Sequence, residues 1–307
     1  MSELAIECRG LTRRYGSVLA LDGLDLQVPR NVVYGFLGPN GAGKTTTMKI
    51  LAGLILATSG EAFLAGCRVS PRDPASRRRV GYLPEEPSFY GWMNAREYLE
   101  FTGGLLGMEQ RAVKARAGEL LELVDLANVA KRRIAGFSRG MRQRLGIAQA
   151  LMGRPEVLLL DEPVSALDPL GRRDVLALIE RLAGDTTVLM STHILADVER
   201  VCQRVAIIAR GKLVAQADRE QLARQYALPI FEIETASEDG ELAKLLRQRP
   251  WVEKVEQSGT VARVMVRDEV VARRELPGIA AQWGEQLVRY QQIRPTLEDI
   301  FVRLVGA

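Results

Sequence analysis

The sequence predicts an α/β fold. It has an antiparallel β subdomain, a core wound around a parallel sheet, a helical insertion in that core and a small α+β domain at the end. Three observations carry this reading. Gly38-Pro39-Asn40-Gly41-Ala42-Gly43-Lys44-Thr45-Thr46 satisfies the phosphate-loop pattern G-x-x-x-x-G-K-[ST], between an apolar strand-like run (32–37) and a helical stretch (45–54). Two further apolar runs, 157–160 and 186–190, are separated by a crossover helix over 170–182, so the strands run parallel. Beyond residues 226–229 the rhythm of the chain changes, which marks a domain boundary. The expected domains are 1–225 and 228–307, in keeping with 307 residues at about 150 residues per domain.

The elements follow from local pattern. Leu24-Asp25-Leu26-Gln27-Val28 alternates apolar and polar residues, as a half-exposed antiparallel strand does. Residues 61–66 read as another short strand. From about 88 to 150 the chain is helical in character and forms the insertion. Asn94 and Glu97 have capping-box spacing, ahead of Tyr98, Phe101 and Leu105 on one face. Residues 110–126 and 141–152 are the next helices, and 205–216 is a hairpin turning at Arg210-Gly211. In the tail, 231–235 is a strand and 239–248 a helix. Residues 251–257 and 260–267 form a hairpin around Ser258-Gly259. Then come a helix (269–283), a strand (286–291) and a final helix (296–304). The order βαββαβ predicts a ferredoxin-like module with an added C-terminal helix.

The chemistry starts at the glycine-rich loop. Its glycines let backbone N–H groups close on phosphate oxygens, Lys44 brings a point charge to the β- and γ-phosphates, and the Thr45 hydroxyl can ligate Mg²⁺. Such a loop needs an acid on a neighbouring strand to hold the metal. Val157-Leu158-Leu159-Leu160-Asp161 delivers Asp161 at a strand's carboxyl end. Glu162, one residue further, is placed to take a proton from an attacking water.

With Ser165-Ala166-Leu167-Asp168 following, the chain resembles the nucleotide-binding subunit of ATP-binding-cassette (ABC) transporters over residues 3–220. The resemblance implies a RecA-like P-loop NTPase core. It makes Tyr15 the aromatic that stacks on adenine, Gly38 to Thr46 the Walker A loop, Asp161 the Walker B acid and Glu162 the catalytic glutamate. Phe137-Ser138-Arg139-Gly140-Met141 stands at the signature motif, where Ser138 and Gly140 keep the family residues. Asp168 closes the D-loop, and His193, the chain's sole histidine, is the switch residue at the γ-phosphate. Two departures stand out. Glu85 occupies the place of the family's metal-touching glutamine, and Arg139 and Met141 replace a glycine and the glutamine of the signature. A carboxylate at 85 still suits Mg²⁺. Arg139 either adds charge near the γ-phosphate or faces solvent.

The family implies two subunits paired head to tail around two ATP molecules, each ATP lying between the Walker A loop of one chain and the Ser138 segment of the other. A separate integral-membrane permease is the further partner, reached through a groove near Glu85, Glu86 and the insertion. Ile293-Arg294-Pro295-Thr296-Leu297-Glu298-Asp299-Ile300-Phe301, together with Ser138 to Arg144, resembles the ABC-2 exporter branch, which serves drug-resistance, sodium-export and copper-maturation systems. The cargo is not encoded, because the transport path lies in the permease. The alternative is a non-transport ATPase of the same superfamily acting on DNA or ribosomes. Its usual long coiled-coil insertion or second cassette is missing, and no nucleic-acid partner is expected.

Composition agrees. An apolar fraction of 47% supports a large core. The net charge of +4 is mild, and the basic clusters at 77–79, 131–133 and 139–144 read as solvated surface, with ATP phosphates, an anionic membrane or nucleic acid as functional partners. Cys8, Cys67 and Cys202 are odd in number and widely spaced, which argues against a disulfide framework or zinc site and fits a reducing compartment. One histidine excludes a multi-histidine metal site. The start of the chain lacks a signal-peptide pattern, and the longest apolar runs, such as 50–57, fall short of the roughly 20 residues that span a bilayer. The expected place is the cytoplasm, peripheral on the inner face of the membrane.

Overall fold

The computed structural model describes residues 3–70, 74–165, 167–226, 228–238, 240–282, 286–293 and 295–305. It contains two compact units, Met1–Arg219 and Glu220–Ala307. Ala166, Ala227, Asp239, Trp283 and Arg294 enter the sequence reading above but lie outside the described residues. The division falls at Arg219/Glu220, seven residues before the composition shift at 226–229, because a short helix stands between the last strand of the first unit and that shift.

The first unit opens with an antiparallel pair, β1 (Leu4–Tyr15) and β2 (Val18–Pro29), followed by β3 (Val33–Leu37), α1 (Lys44–Leu51), β4 (Ser59–Leu64) and β5 (Cys67–Arg68). Helix α1 stops at Leu51, short of 54, because Gly53 takes a positive φ of 68°. Strand β4 ends at Leu64 rather than 66, because Ala65 and Gly66 both turn through positive φ. Then come α2 (Pro74–Arg78), β6 (Val80–Leu83) and the insertion helices α3 (Ala95–Leu105), α4 (Gln110–Leu123) and α5 (Arg139–Ala150). The unit continues with β7 (Val157–Asp161), α6 (Pro169–Arg181), β8 (Thr187–Thr192), α7 (Leu195–Val201), β9 (Arg204–Ala209) and β10 (Lys212–Asp218).

These strands form two sheets. One is antiparallel, in the order β2-β1-β4-β5. The other runs β10-β9-β3-β8-β7-β6, parallel except for the β9–β10 hairpin. Every residue of β3, β7 and β8 is buried, which explains their unbroken apolar runs: a parallel sheet is covered on both faces. One core cluster spans both sheets, with Ile6, Leu26 and Leu64 from the antiparallel sheet, Met48 from α1, and Leu159 and Ile208 from the parallel one.

The insertion departs from its predicted outline. Residues 88–94 are not helical, and α3 begins only at Ala95. Its start is fixed by the capping box, in which Asn94 Oδ1 accepts the Glu97 N–H at 3.0 Å and Glu97 Oε2 accepts the Asn94 N–H at 2.9 Å. Tyr98 is buried, but Phe101 and Leu105 are 40% and 73% exposed, so the face they follow is covered only at Tyr98. The buried residues of α3 are Ala95, Tyr98, Leu99 and Gly103. Helix α5 begins at Arg139 rather than 141, because the Ser138 hydroxyl accepts the Met141 N–H and caps it there. This helix lies hard against β6, since a Cβ at Gly81 would sit 2.1 Å from the Ala150 carbonyl oxygen. Gly81→Ala is therefore expected to destabilise the unit by about 1–3 kcal/mol, the usual cost of overpacking a rigid contact. The measurement is a lower urea midpoint, and an unchanged midpoint would refute the close seating.

The second unit starts in α8 (Arg219–Tyr226). It contains β11 (Ile230–Thr235), α9 (Gly240–Arg247), β12 (Val252–Ser258), β13 (Val261–Val266), α10 (Glu269–Ala281), β14 (Leu287–Ile293) and α11 (Leu297–Val305). Its antiparallel sheet has the order β12-β13-β11-β14, the split arrangement of a ferredoxin-like βαββαβ unit. Phe231, Ile233, Leu246, Trp251, Val264 and Leu276 fill its core. The Trp251 indole N–H donates to Glu275 at 2.9 Å. Helix α11 closes the unit, with Leu297 and Ile300 buried and Asp299 held by Arg263 at 3.3 Å.

Candidate active site

The loop between β3 and α1 owes its shape to its glycines. Gly41 and Gly43 adopt positive φ of 80° and 108°, a region costly for side chains with a Cβ. A Cβ at Gly38 would meet the Ile208 carbonyl oxygen at 2.4 Å, so the loop lies directly on β9. Lys44 opens α1 and is 6% exposed. Its ammonium donates to the Gly38 carbonyl at 2.7 Å and the Pro39 carbonyl at 3.3 Å, and lies 3.4 Å from Glu162 Oε1.

Parallel pairing of β7 and β8 sets Asp161 opposite Ser191, so the two acids at the end of β7 meet His193, just beyond β8, along the carboxyl-end edge of the sheet. Asp161, 1% exposed, accepts the Thr45 hydroxyl at 3.2 Å and the Ser191 hydroxyl at 2.6 Å. The Tyr82 hydroxyl stands 3.5 Å from its other oxygen, and burial, reinforced by Asp161, pushes the Tyr82 phenol well above its usual range. Glu162 takes a left-handed backbone, φ 47°. Its N–H is shared between the Ser191 hydroxyl at 3.0 Å and the Ser191 carbonyl at 3.2 Å. His193 Nδ1 lies 3.1 and 3.0 Å from the two Glu162 oxygens, a geometry in which a ring N–H donates and the carboxylate accepts.

A cavity of about 350 Å³ opens over this edge. Tyr15, Ala20, the loop from Asn40 to Thr46, Glu85, Glu162 and His193 line it. Gly38 and Asp161 are buried outside its lining, and Pro39 is exposed beside it. The Tyr15 ring, at the end of β1, is held from one side by the Arg13 guanidinium, 4.4 Å from its centroid. Ser138, Gly140 and Asp168 are elsewhere. They line a second cavity of about 410 Å³ with Arg139, Leu167 and Leu170. There Ser138 caps α5, and Asp168 caps α6 by accepting the Gly171 N–H at 3.2 Å. Arg139 is half-exposed, its guanidinium 4.0 Å from Glu86.

The chemistry this arrangement supports is phosphoryl transfer to water. A triphosphate fits the cavity by its loop amides and buried cation. The hydroxyl of Thr45 and the carboxylate of Asp161 converge as hard oxygen donors, the set that Mg²⁺ prefers. Glu85 is exposed on the cavity wall. Among the described residues no cluster of three or more His, Cys, Asp or Glu side chains makes an all-protein metal cage. A cation here would share phosphate and water ligands.

The sequence reading missed Ser191 and Arg13 as supports of this site. Ser191 is fully buried and joins Asp161 to the Glu162 backbone across two strands. No local pattern announces such a bond, although the serine's place beside a lone histidine at a strand end was a usable signal. Ser191→Ala is expected to lower kcat about tenfold, in line with the roughly 1.5–3 kcal/mol of a charge-assisted bond. ATP affinity should stay close to wild type. Steady-state hydrolysis alongside nucleotide titration checks this, and an unaltered kcat would remove Ser191 from the site.

Residues 21–165 match the ABC transporter family, and residues 218–305 match the DrrA1-3-like ATP-binding protein C-terminal domain. The chain is 39% identical over 304 residues to the uncharacterized ABC transporter ATP-binding protein YxlF of Bacillus subtilis, covering 99% of this chain and 100% of that one. It is 34% identical to the daunorubicin resistance ATP-binding protein DrrA3 of Streptomyces coeruleorubidus, with 100% and 97% covered. It is 35% identical to the bacitracin transport ATP-binding protein BcrA of Bacillus licheniformis, with 98% and 97% covered. A solved ATP-binding subunit of an ABC transporter superimposes with a TM-score of 0.65 at 30% identity, covering 72% of this chain and 93% of that one. Relatives aligned along their whole length, and a cleft built for a triphosphate, lead to one conclusion: the chain belongs to the ATP-binding proteins of ABC transporters, ATPases in which a nucleotide-binding cassette is followed by a DrrA-like C-terminal domain.

Proposed function

We propose that this chain hydrolyses ATP to drive export through a separate membrane-spanning permease of the ABC-2 type. The single observation that carries the catalytic part is the convergence of Lys44, Glu162 and His193 on one cavity. The Tyr15 ring stacks on the base, the amides from Gly38 to Thr46 hold the phosphates, and Lys44 turns from its own loop carbonyls to the β- and γ-phosphates. Thr45, Asp161 and Glu85 would hold Mg²⁺, which supplies charge neutralisation on the phosphate oxygens when bound. Glu162 accepts a proton from water as that water attacks the γ-phosphorus, and the bond to the β-phosphate oxygen breaks to give ADP and phosphate. His193 steadies the γ-phosphate and the base. Little covalent help is needed, since such transfers depend on position and charge.

Ser138, Gly140 and Asp168 serve a second copy of the chain. They lie outside the first cavity and line their own, as a head-to-tail pair sharing two ATP molecules requires. Among the described residues no helix is long and apolar enough to cross a membrane. In this reading the permease supplies the path, and this chain works on the cytoplasmic face. The docking groove is lined by Glu85, Glu86, Pro87 and Arg142, and the apolar Tyr90, Trp92, Phe101 and Leu105 are exposed on the same insertion. Relatives named for daunorubicin resistance and bacitracin transport support an exporter role.

Co-expression with a polytopic membrane partner encoded beside it tests this reading. A stable complex whose ATPase rate responds to that partner is the expected result. Strong stimulation by DNA or ribosomes, with no membrane partner captured, would favour the non-transport alternative.

A further inference from the structure

Two helices start at the two ends of the proposed machinery. Helix α6 is capped by Asp168, on the second cavity, and α7 begins two residues after His193, on the first. Arg172 lies one turn into α6 and Asp197 in the first turn of α7. Arg172 Nε donates to Asp197 Oδ1 at 2.7 Å. Asp197 is 1% exposed, and its Oδ2 is buried with no hydrogen-bond partner. Burial pushes the Asp197 carboxyl up against the pull of Arg172, and the nearby Glu162 charge adds to the push.

A buried carboxylate with one oxygen unsatisfied is a poor way to gain stability. An apolar pair of similar volume would hold two helices as well or better. The surroundings fit a transmitting role. Helix α7 is seated so closely on β3 that a Cβ at Gly35 would meet Val198 at 3.0 Å and Cys202 at 3.1 Å. A helix packed this tightly passes on a displacement rather than absorbing it.

We propose that Arg172 and Asp197 are positioning residues that tie Asp168, on the face offered to the second copy, to His193, so that docking of that copy shifts the ring, already 3.0 Å from Glu162, towards the γ-phosphate. The pair touches no substrate and acts through His193. The inference rests on the role of His193 proposed above. His193→Ala retaining the wild-type rate would overturn that role, whereas a normal dependence on His193 with unaffected Arg172 and Asp197 variants would overturn only the coupling.

The chain's single histidine makes the test direct, since one imidazole cross-peak reports this ring without assignment. In the full-length wild type, a non-hydrolysable ATP analogue with Mg²⁺ should move that peak to one new position. In Arg172→Ala and Asp197→Asn it should stay between positions or broaden. Both variants should bind the analogue with wild-type affinity and lose about tenfold in kcat, within the usual range for coupled sites. The double variant should be no slower than either single one. Should Arg172→Ala fail to fold, the isosteric Asp197→Asn carries the test. A wild-type rate in a folded variant, a peak that follows the wild-type course, or additive losses in the double variant would overturn the proposal.

Discussion

Glu162→Gln is expected to bind ATP and scarcely turn it over, with kcat down by about 100- to 10,000-fold, the usual contribution of a positioned general base. The amide keeps the shape of the side chain and can adopt the same left-handed backbone at φ 47°. It lacks the negative charge that now lies 3.4 Å from the Lys44 ammonium and 3.0 Å from His193 Nδ1. Lys44 is then free of its carboxylate partner and available to phosphate, so affinity for ATP should hold or rise. Closure around nucleotide should outlast a normal cycle, and gel filtration with ATP and Mg²⁺ should show a dimer. Rapid-quench measurement of product formation separates chemistry from release. Turnover at the wild-type rate would remove Glu162 as the base.

Lys44→Ala should abolish hydrolysis by a different route. Lys44 is the buried cation among the loop's carbonyls and Glu162. Each charge-assisted bond to phosphate is worth about 1.5–3 kcal/mol, so losing one weakens ATP binding by roughly 10- to 100-fold. The same change strands Glu162, 6% exposed, without its ammonium partner. Stability should therefore fall as well, because a buried charge left with the His193 ring alone is costly. Fluorescent-nucleotide titration and urea unfolding read the two effects separately. Tight ATP binding in this variant would refute the loop as the triphosphate site.

What the sequence makes legible is what it writes locally. The phosphate loop is a contiguous pattern, and its strand and helix flanks are short-range. The buried strand ending in Asp161 and Glu162 is equally local. The capping box at Asn94 and Glu97 depends on three residues of spacing and forms in the structure. Contacts that need two strands to meet are another matter. Ser191 reaches Asp161 across 30 positions of sequence, and only the β7–β8 register brings them together. Helical periodicity also leaves open which side of a helix is covered. Phe101 and Leu105 follow the spacing of a core face, yet α4 and α5 pack on the side of α3 marked by Tyr98, Leu99 and Gly103. Arg139 was undecidable for a similar reason, since its surroundings come from the Glu86 segment, far away in sequence.

The left-handed turn at Glu162 bears on how this protein can be altered. A residue with a Cβ pays about 1–2 kcal/mol for that conformation, and glycine would not. The most strained point of the strand end is thus also its most reactive one. Glycine at 162 relieves that cost but leaves the buried Lys44 ammonium without its carboxylate, so backbone relief and pair loss oppose each other. A screen scored by folding yield alone is blind to the chemistry traded between them, so it has to score phosphate release as well.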